Sequence, residues 1–218
     1  MATPSPSAPK RNPRGVARRE QILQEAIHCF GARGFSGTTT RQLAERAGIT
    51  EAALYRYFPS KEALYAAIID RKMADPELVA ELAPAARRRD DRAVFEGLAR
   101  AIFRRVEGDP DFLRILLFTA LEGHELSQPF FASRVRRLRE FLADYIAQRV
   151  AEGAFRPLDP RLAARALLGM VFDHLNVRLV FRQQDAYPQA AEQVAAIFVS
   201  IFLEGVRQPR QEGAHGGG

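Results

Sequence analysis

The sequence predicts an all-α protein, with an N-terminal three-helix domain that carries a helix-turn-helix and a C-terminal antiparallel helical bundle forming a dimer. Three observations carry this expectation. Apolar residues recur at helical spacing, while β-branched runs and alternating segments are scarce. Residues 39–58 hold a capping box, a glycine exit, a second cap and a second short helix within twenty positions. The charge is also divided: ten Lys/Arg face four Glu up to Lys61, whereas 22 basic residues face 22 acidic ones from Glu62 onward.

The totals bound the function classes. The chain has 218 residues, 47% of them hydrophobic and 27% charged, which suits one large domain or two smaller ones with a real core. No stretch of eighteen uncharged apolar residues exists, and the N-terminus lacks the apolar run of a secretory signal. Cys29 is the single cysteine, so an internal disulfide and a multi-cysteine zinc site are both excluded. Together these features favour a cytoplasmic protein. Residues 1–15 read as a disordered basic arm and residues 209–218 as a disordered tail. A basic segment beside a neutral remainder fits a polyanion-binding part joined to a part with another task. A solubilising tail is the other reading, because five of the ten cations precede Glu20.

The first helix is expected over residues 16–32, with Ile22, Leu23, Ala26, Ile27 and Phe30 on one face and Gly31 and Gly34 at its end. Thr39 with Gln42 opens a short helix over residues 40–47, whose inner side is Leu43, Ala44 and Ala47. Gly48 suits a left-handed exit, Ile49 fills the gap between helices, and Thr50 caps a helix running to about Phe58. On that helix Leu54 and Phe58 point inward. Ala52 and Arg56 point nearly opposite, with Tyr55 and Tyr57 on the flanks and Ala53 completing the exposed side. Small residues let a helix approach base edges, arginine can read guanine or hold phosphate, and tyrosine hydroxyls can donate to phosphate. Tyr55 and Tyr57 packing at the core edge, and Arg56 as a solvated charge, stay open as plainer readings. Pro59 stops the helix, Ser60 caps the next, and Lys61 beside those helix-start amides forms a second phosphate clamp. Lys10, Arg11, Arg14, Arg18 and Arg19 can follow a DNA backbone or enter a minor groove.

The text "ILQEAIHCFGARGFSGTTTRQLAERAGITEAALYRYFPSKEALYAAI" resembles the DNA-binding domain of the TetR family of bacterial transcriptional regulators. Leu43 stands where isoleucine is common and Tyr57 where histidine is frequent; neither change removes a polar donor or the apolar fill. The resemblance covers about a quarter of the chain. It implies a homodimer on a palindromic operator, most often as a repressor. It also implies DNA contacts at Thr39, Thr40, Arg41, Thr50, Tyr55, Tyr57 and Lys61, with base reading in the span Glu51, Ala52, Ala53 to Arg56.

A helix-turn-helix domain over residues 16–62 therefore precedes a helical effector-binding and dimerisation domain over residues 63–208. After a long helix from Lys61, Pro76 and Pro84 punctuate the chain. Arg87, Arg88 and Arg89 read as a solvated linker face. Helices follow near 90–107, 110–122, 128–152, 160–182 and 187–207. This region is rich in phenylalanine, and such a bundle can hold an apolar effector as well as fill its own core. Candidate pocket residues are Phe103, Phe118, His124, Phe141, Met170, Asp173, His174 and Val177. The candidate dimer interface is Leu162, Ala166, Gly169, Val194, Phe198 and Phe202, where small residues permit close helix approach. His124, Glu125 and His174 are metal-binding residue types, but no ligand spacing supports a metal site, and no cofactor is expected. No nucleophile sits in an elbow, and Asp173 beside His174 is no relay because adjacent helical residues do not face each other, so no enzyme is expected. The reading is a repressor released by a small apolar or amphipathic effector. An activator of the same fold and a non-specific basic DNA-binding protein are the alternatives.

Overall fold

The computed structural model describes residues 13–74 and 77–208. Residues 1–12 and 209–218, which hold Lys10, Arg11 and the expected tail, and the break at Pro76 lie outside the described residues. Among those described, the regular elements are helical, apart from one isolated bridge between Phe155 and Arg207. The elements are α1 (Pro13–Arg33), α2 (Thr40–Arg46), α3 (Glu51–Tyr57), α4 (Lys61–Met73), α5 (Leu78–Arg87), α6 (Asp91–Gly108) and α7 (Pro110–Leu121). A 3₁₀ turn (Glu125–Ser127) and the short α8 (Gln128–Phe130) follow. A π-helical turn (Phe131–Val135) then runs into α9 (Arg136–Ala151). The chain ends with α10 (Pro160–Leu175), a second π-helical turn (Asn176–Val180) and α11 (Ala191–Val206).

The chain condenses into two compact units. The head unit runs to Lys72 and also takes in Asp111–Ser127; the second unit comprises Met73–Pro110 and Gln128–Gly218. The head thus extends past residue 62 and recruits most of α7, which chain order alone assigns to the second domain.

In the head, α1 starts three residues earlier than its pattern suggests and buries Ile22, Leu23, Ala26, Ile27 and Phe30. Leu43, Ala44 and Ala47 from α2, Leu54 and Phe58 from α3, and Leu64, Tyr65, Ile68 and Ile69 from α4 close the same core. Gly48 takes φ +64, the left-handed exit that lets Ile49 turn back and donate its N–H to Ala44 O at 3.0 Å. Arg18 donates to Ala47 O, and the Arg19 guanidinium lies 4.7 Å over the Phe58 ring, so both cations brace the three-helix core.

Tyr65 is fully buried, with its ring tilted to Phe30 and edge-on to Phe35 at 5.7 Å each. Its hydroxyl lies 2.5 Å from Thr119 Oγ1 and 2.6 Å from Ser127 Oγ. Thr119 gives its own proton to Ile115 O at 2.7 Å. Tyr65 must therefore donate to Thr119 and accept from Ser127.

In the second unit, Phe95 anchors the core with Tyr145, Phe155 and Phe202 around it. Asp90 caps α6 through Ala93 N, and Asp159 with Pro160 starts α10. Asp91 accepts from Arg149 Nε and Nη2, at 2.8 and 3.1 Å, and from Tyr145 Oη at 2.6 Å. Burial, and next the Asp91 hydrogen bond, push the Tyr145 phenol pKa upward. One expectation fails here: Pro84 does not break the chain but sits inside α5. That helix buries Leu82 and Ala85, and Leu82 packs where α6 carries Gly97, so tertiary packing outweighs the lost hydrogen bond. We expect Tyr65→Phe to lower stability by about 1–3 kcal/mol, because Ser127 keeps a buried hydroxyl without its acceptor; urea unfolding measures it.

Candidate nucleic-acid interface

The helix-turn-helix is set by three caps. Thr39 and Gln42 exchange backbone-to-side-chain bonds at 3.1 and 3.2 Å, completing the capping box of α2. Thr50 accepts from Ala53 N at 3.1 Å and starts α3, and Ser60 accepts from Ala63 N at 3.1 Å and starts α4. The Thr40 hydroxyl donates to a Glu51 carboxylate oxygen, tying the first turn of α2 to the first residue of α3.

These caps present one outward surface. Thr39, Arg41, Thr50, Glu51, Ala52, Tyr55 and Arg56 are exposed, while Thr40, Ala53 and Tyr57 are half-buried. Leu54 and Phe58 are 2% and 3% exposed, so the inward side of α3 is the one its spacing indicates. Arg41 is paired with Glu45 at 2.9 Å in an exposed contact that contributes little to stability. Among the described residues Arg56 makes no ion pair or side-chain hydrogen bond, so its guanidinium is available.

Lys61 differs from expectation. Rather than standing free beside the helix-start amides, its ammonium donates to Phe35 O at 2.9 Å and Thr38 O at 3.0 Å and lies 4.2 Å over the Phe35 ring. Two of its three donors are committed within the head, leaving one for an outside acceptor. It holds the connection into α2.

The candidate pocket residues separate. Phe118 and His124 belong to the head unit: the Phe118 ring lies at Gly34, and His124 Nε2 is 3.1 Å from Ser36 Oγ. In the second unit a cavity of about 310 Å³ gathers Asp173, His174 and Val177 with Tyr187, Gln189, Gln193, Val194, Ile197 and Phe198. Phe103 stands behind it, edge-on to the His174 ring at 5.6 Å. Phe141 and Met170 are half-buried and do not line it. His174 is 7% exposed, and among the described residues its Nε2 has no hydrogen-bond partner. Burial, then the charge of Arg178, lowers its imidazole pKa and keeps it neutral near pH 7. Tyr187, Gln189 and Gln193 carry no periodic signal that marks them as pocket residues. Among the described residues no group of three or more metal-ligating side chains clusters.

The candidate interface residues also divide. Leu162 is 62% exposed, and Ala166 and Gly169 share its open face of α10. On α11, Val194 and Phe202 are 5% and 6% exposed and serve the chain's own core, and Phe198 is half-buried. The outward apolar positions are Ile197 and Ile201, 47% and 57% exposed. An α11 that is apolar nearly all round hides which side is free.

Comparison with known proteins places this geometry. The family model for bacterial regulatory proteins of the tetR family matches residues 22–68, and the model for the AefR-like transcriptional repressor C-terminal domain matches residues 98–205. The HTH-type transcriptional regulator RutR of Escherichia coli K12 is 32% identical over 155 residues, covering 70% of this chain and 71% of that protein. The HTH-type transcriptional repressor KstR2 of Mycolicibacterium smegmatis is 29% identical over 214 residues, covering 95% and 97%. The solved structure of the TetR family transcriptional regulator PfmR from Thermus thermophilus superposes with a TM-score of 0.66 at 30% identity, over 86% of this chain and 99% of that one.

Removing the Lys61 ammonium should act on the fold as well as on DNA. We expect Lys61→Ala to lose about 1–3 kcal/mol of stability and to weaken binding to every duplex, as the charge-assisted bonds to two carbonyls go. Urea unfolding paired with DNA titration checks it; an unchanged unfolding midpoint would leave only a phosphate role.

Proposed function

The chain belongs to the TetR family of bacterial regulatory proteins, and on that footing we propose that it is a cytoplasmic repressor that binds a palindromic operator as a homodimer and releases it when a small apolar or amphipathic molecule occupies its helical domain. The family is one of transcriptional regulators that bind DNA, not of enzymes. The observation that carries the reading is the outward surface of α3, with unpaired Arg56 beside the small Ala52 and exposed Tyr55. Arg56 and the alanine methyls face base edges in the major groove, while Thr39, Thr40, Arg41, Thr50 and the two tyrosines face phosphates. No helix among the described residues is long and apolar enough to cross a membrane, which agrees with a protein that meets DNA directly.

Pairing uses the open stripe of Leu162, Ala166 and Gly169 on α10 with Ile197 and Ile201 on α11. An apolar stripe interrupted by small residues suits a two-fold four-helix contact, and two-fold symmetry spaces two reading helices for a palindrome. The cavity at His174 supports an effector role. Its volume suits a small molecule, its exposed walls are mainly apolar, and Asp173, His174, Tyr187, Gln189 and Gln193 among the lining residues offer polar contacts. An effector acts by binding better to the form that does not fit the operator. The repressor sign is supported by the printed names of the C-terminal family model and of KstR2.

Selection from a randomised duplex library followed by titration tests the reading. A palindrome with sub-micromolar affinity supports it, while purely salt-dependent binding without sequence preference points to a non-specific DNA protein. Arg56→Ala should change the ranking of sites, by about 1–3 kcal/mol at one base pair of each half-site; equal loss on every duplex removes its base-reading role. Ile201→Asp should give a monomer by analytical ultracentrifugation with operator binding reduced at least about tenfold; a variant that stays dimeric excludes this face.

A further inference from the structure

The connection between α1 and α2, residues 34–38, leads directly into the Thr39 cap, so its path fixes where the reading pair begins. Two sets of side chains grip it within the head unit. From α4, Lys61 holds the carbonyls of Phe35 and Thr38. From the end of α7, the Glu122 carboxylate accepts the Ser36 N–H at 3.2 and 3.4 Å, and His124 Nε2 lies 3.1 Å from the Ser36 hydroxyl and 3.7 Å from Glu122. Gly34 takes φ +74, and a Cβ there would collide with Glu122 Oε1 and lie 3.1 Å from the Phe118 ring. The carboxylate therefore occupies the hollow that the missing side chain leaves.

We propose that Glu122 and His124 are positioning residues for DNA recognition, which act through Ser36 to hold residues 34–38 and hence the start of α2. Neither lies on the reading face; Phe30, Phe35 and Tyr65 supply the apolar core, with the His124 ring edge-on to Phe35 at 5.1 Å. A carboxylate receiving a backbone N–H is a charge-assisted bond, stronger than a neutral one. The hold passes on by contact: residues 34–38 end at the Thr39 capping box, and Thr40 is bonded to Glu51 of α3. Loosening the grip widens the set of α2 and α3 orientations. That reduces selective binding and leaves the basic surface, which governs non-selective binding, as it was. The inference rests on the DNA-reading role proposed above.

The test uses the full chain and the duplex that the wild-type protein enriches from a randomised library, beside a scrambled duplex of equal length. Glu122→Ala is expected to bind the enriched duplex roughly tenfold or more weakly, with scrambled-duplex affinity within about twofold of wild type. Its melting temperature should stay within a few degrees, about 2–4 °C. The Ser36 amide should exchange faster with deuterium while amides in the middle of α1 keep their rates. Glu122→Gln, which retains an oxygen acceptor, should recover most of the loss. If Glu122→Ala melts much lower, Ser36→Ala carries the same comparison, since it removes only the hydroxyl contact with His124. Wild-type selectivity in Glu122→Ala, equal losses on both duplexes, or no recovery in Glu122→Gln each overturns the positioning role alone. Failure of the wild-type protein to enrich any duplex overturns it together with the operator reading.

Discussion

The Lys61 ammonium, bonded to the carbonyls of Phe35 and Thr38, is the constraint on which the DNA-reading arrangement rests. The chain must reverse between two helices there, so those carbonyls have no helical partner of their own. A single side chain from the start of α4 reaches both and places its charge over the Phe35 ring. Thr38 adds to the hold by donating to Gly34 O at 2.8 Å. With this connection fixed, the capping box of α2 and the glycine exit at Gly48 have only short distances to set. Seven-residue helices such as α2 and α3 cannot form alone in water. They exist because caps, the Leu54 and Phe58 contacts and the anchored connection select one conformation.

The second unit solves a different problem, that of combining a packed core with space. Around Phe95 the aromatic contacts are close, and Asp91, Tyr145 and Arg149 satisfy one another beside them. Near His174 the satisfaction stops. Phe103, Tyr187 and Phe198 surround the imidazole edge-on, yet among the described residues Nε2 has no hydrogen-bond partner, nor do Asn176 Oδ1 and Arg178 Nε. Buried polar atoms left in this state raise the local free energy unless something hydrogen-bonds to them. Of these three residues, His174 lines the cavity.

Much of the head was legible in the sequence because its signals are local. The Thr39–Gln42 box, Gly48, the Thr50 cap and the Leu54–Phe58 pair all act within a few residues, and each has a distinct spacing. What was missed depends on contacts across the chain. Lys61 reads as a free cation at a helix start, because its acceptors lie 23 and 26 residues earlier and leave no periodic trace. Phe118 and His124 read as pocket residues by chain position, although α7 folds with α1 and α4. Pro84 reads as a break because its neighbours' burial cannot be seen locally. On α11 the apolar residues nearly encircle the helix, so a wheel could not distinguish Val194 and Phe202 from Ile197 and Ile201.

The wide turn at Phe131–Val135, directly before α9, has a consequence for insertions and deletions. A π turn accommodates one more residue than an α-helix would in the same rise. Each residue advances the side chains by about 100° around the axis. The widened turn thus absorbs one surplus residue without altering the phase at which Leu142, Tyr145 and Ile146 meet the core. Excising one position there would restore ordinary α-helical coiling over the same rise and leave that trio facing the core, whereas excising one from residues 136–140 would swing it roughly a quarter of a revolution toward water.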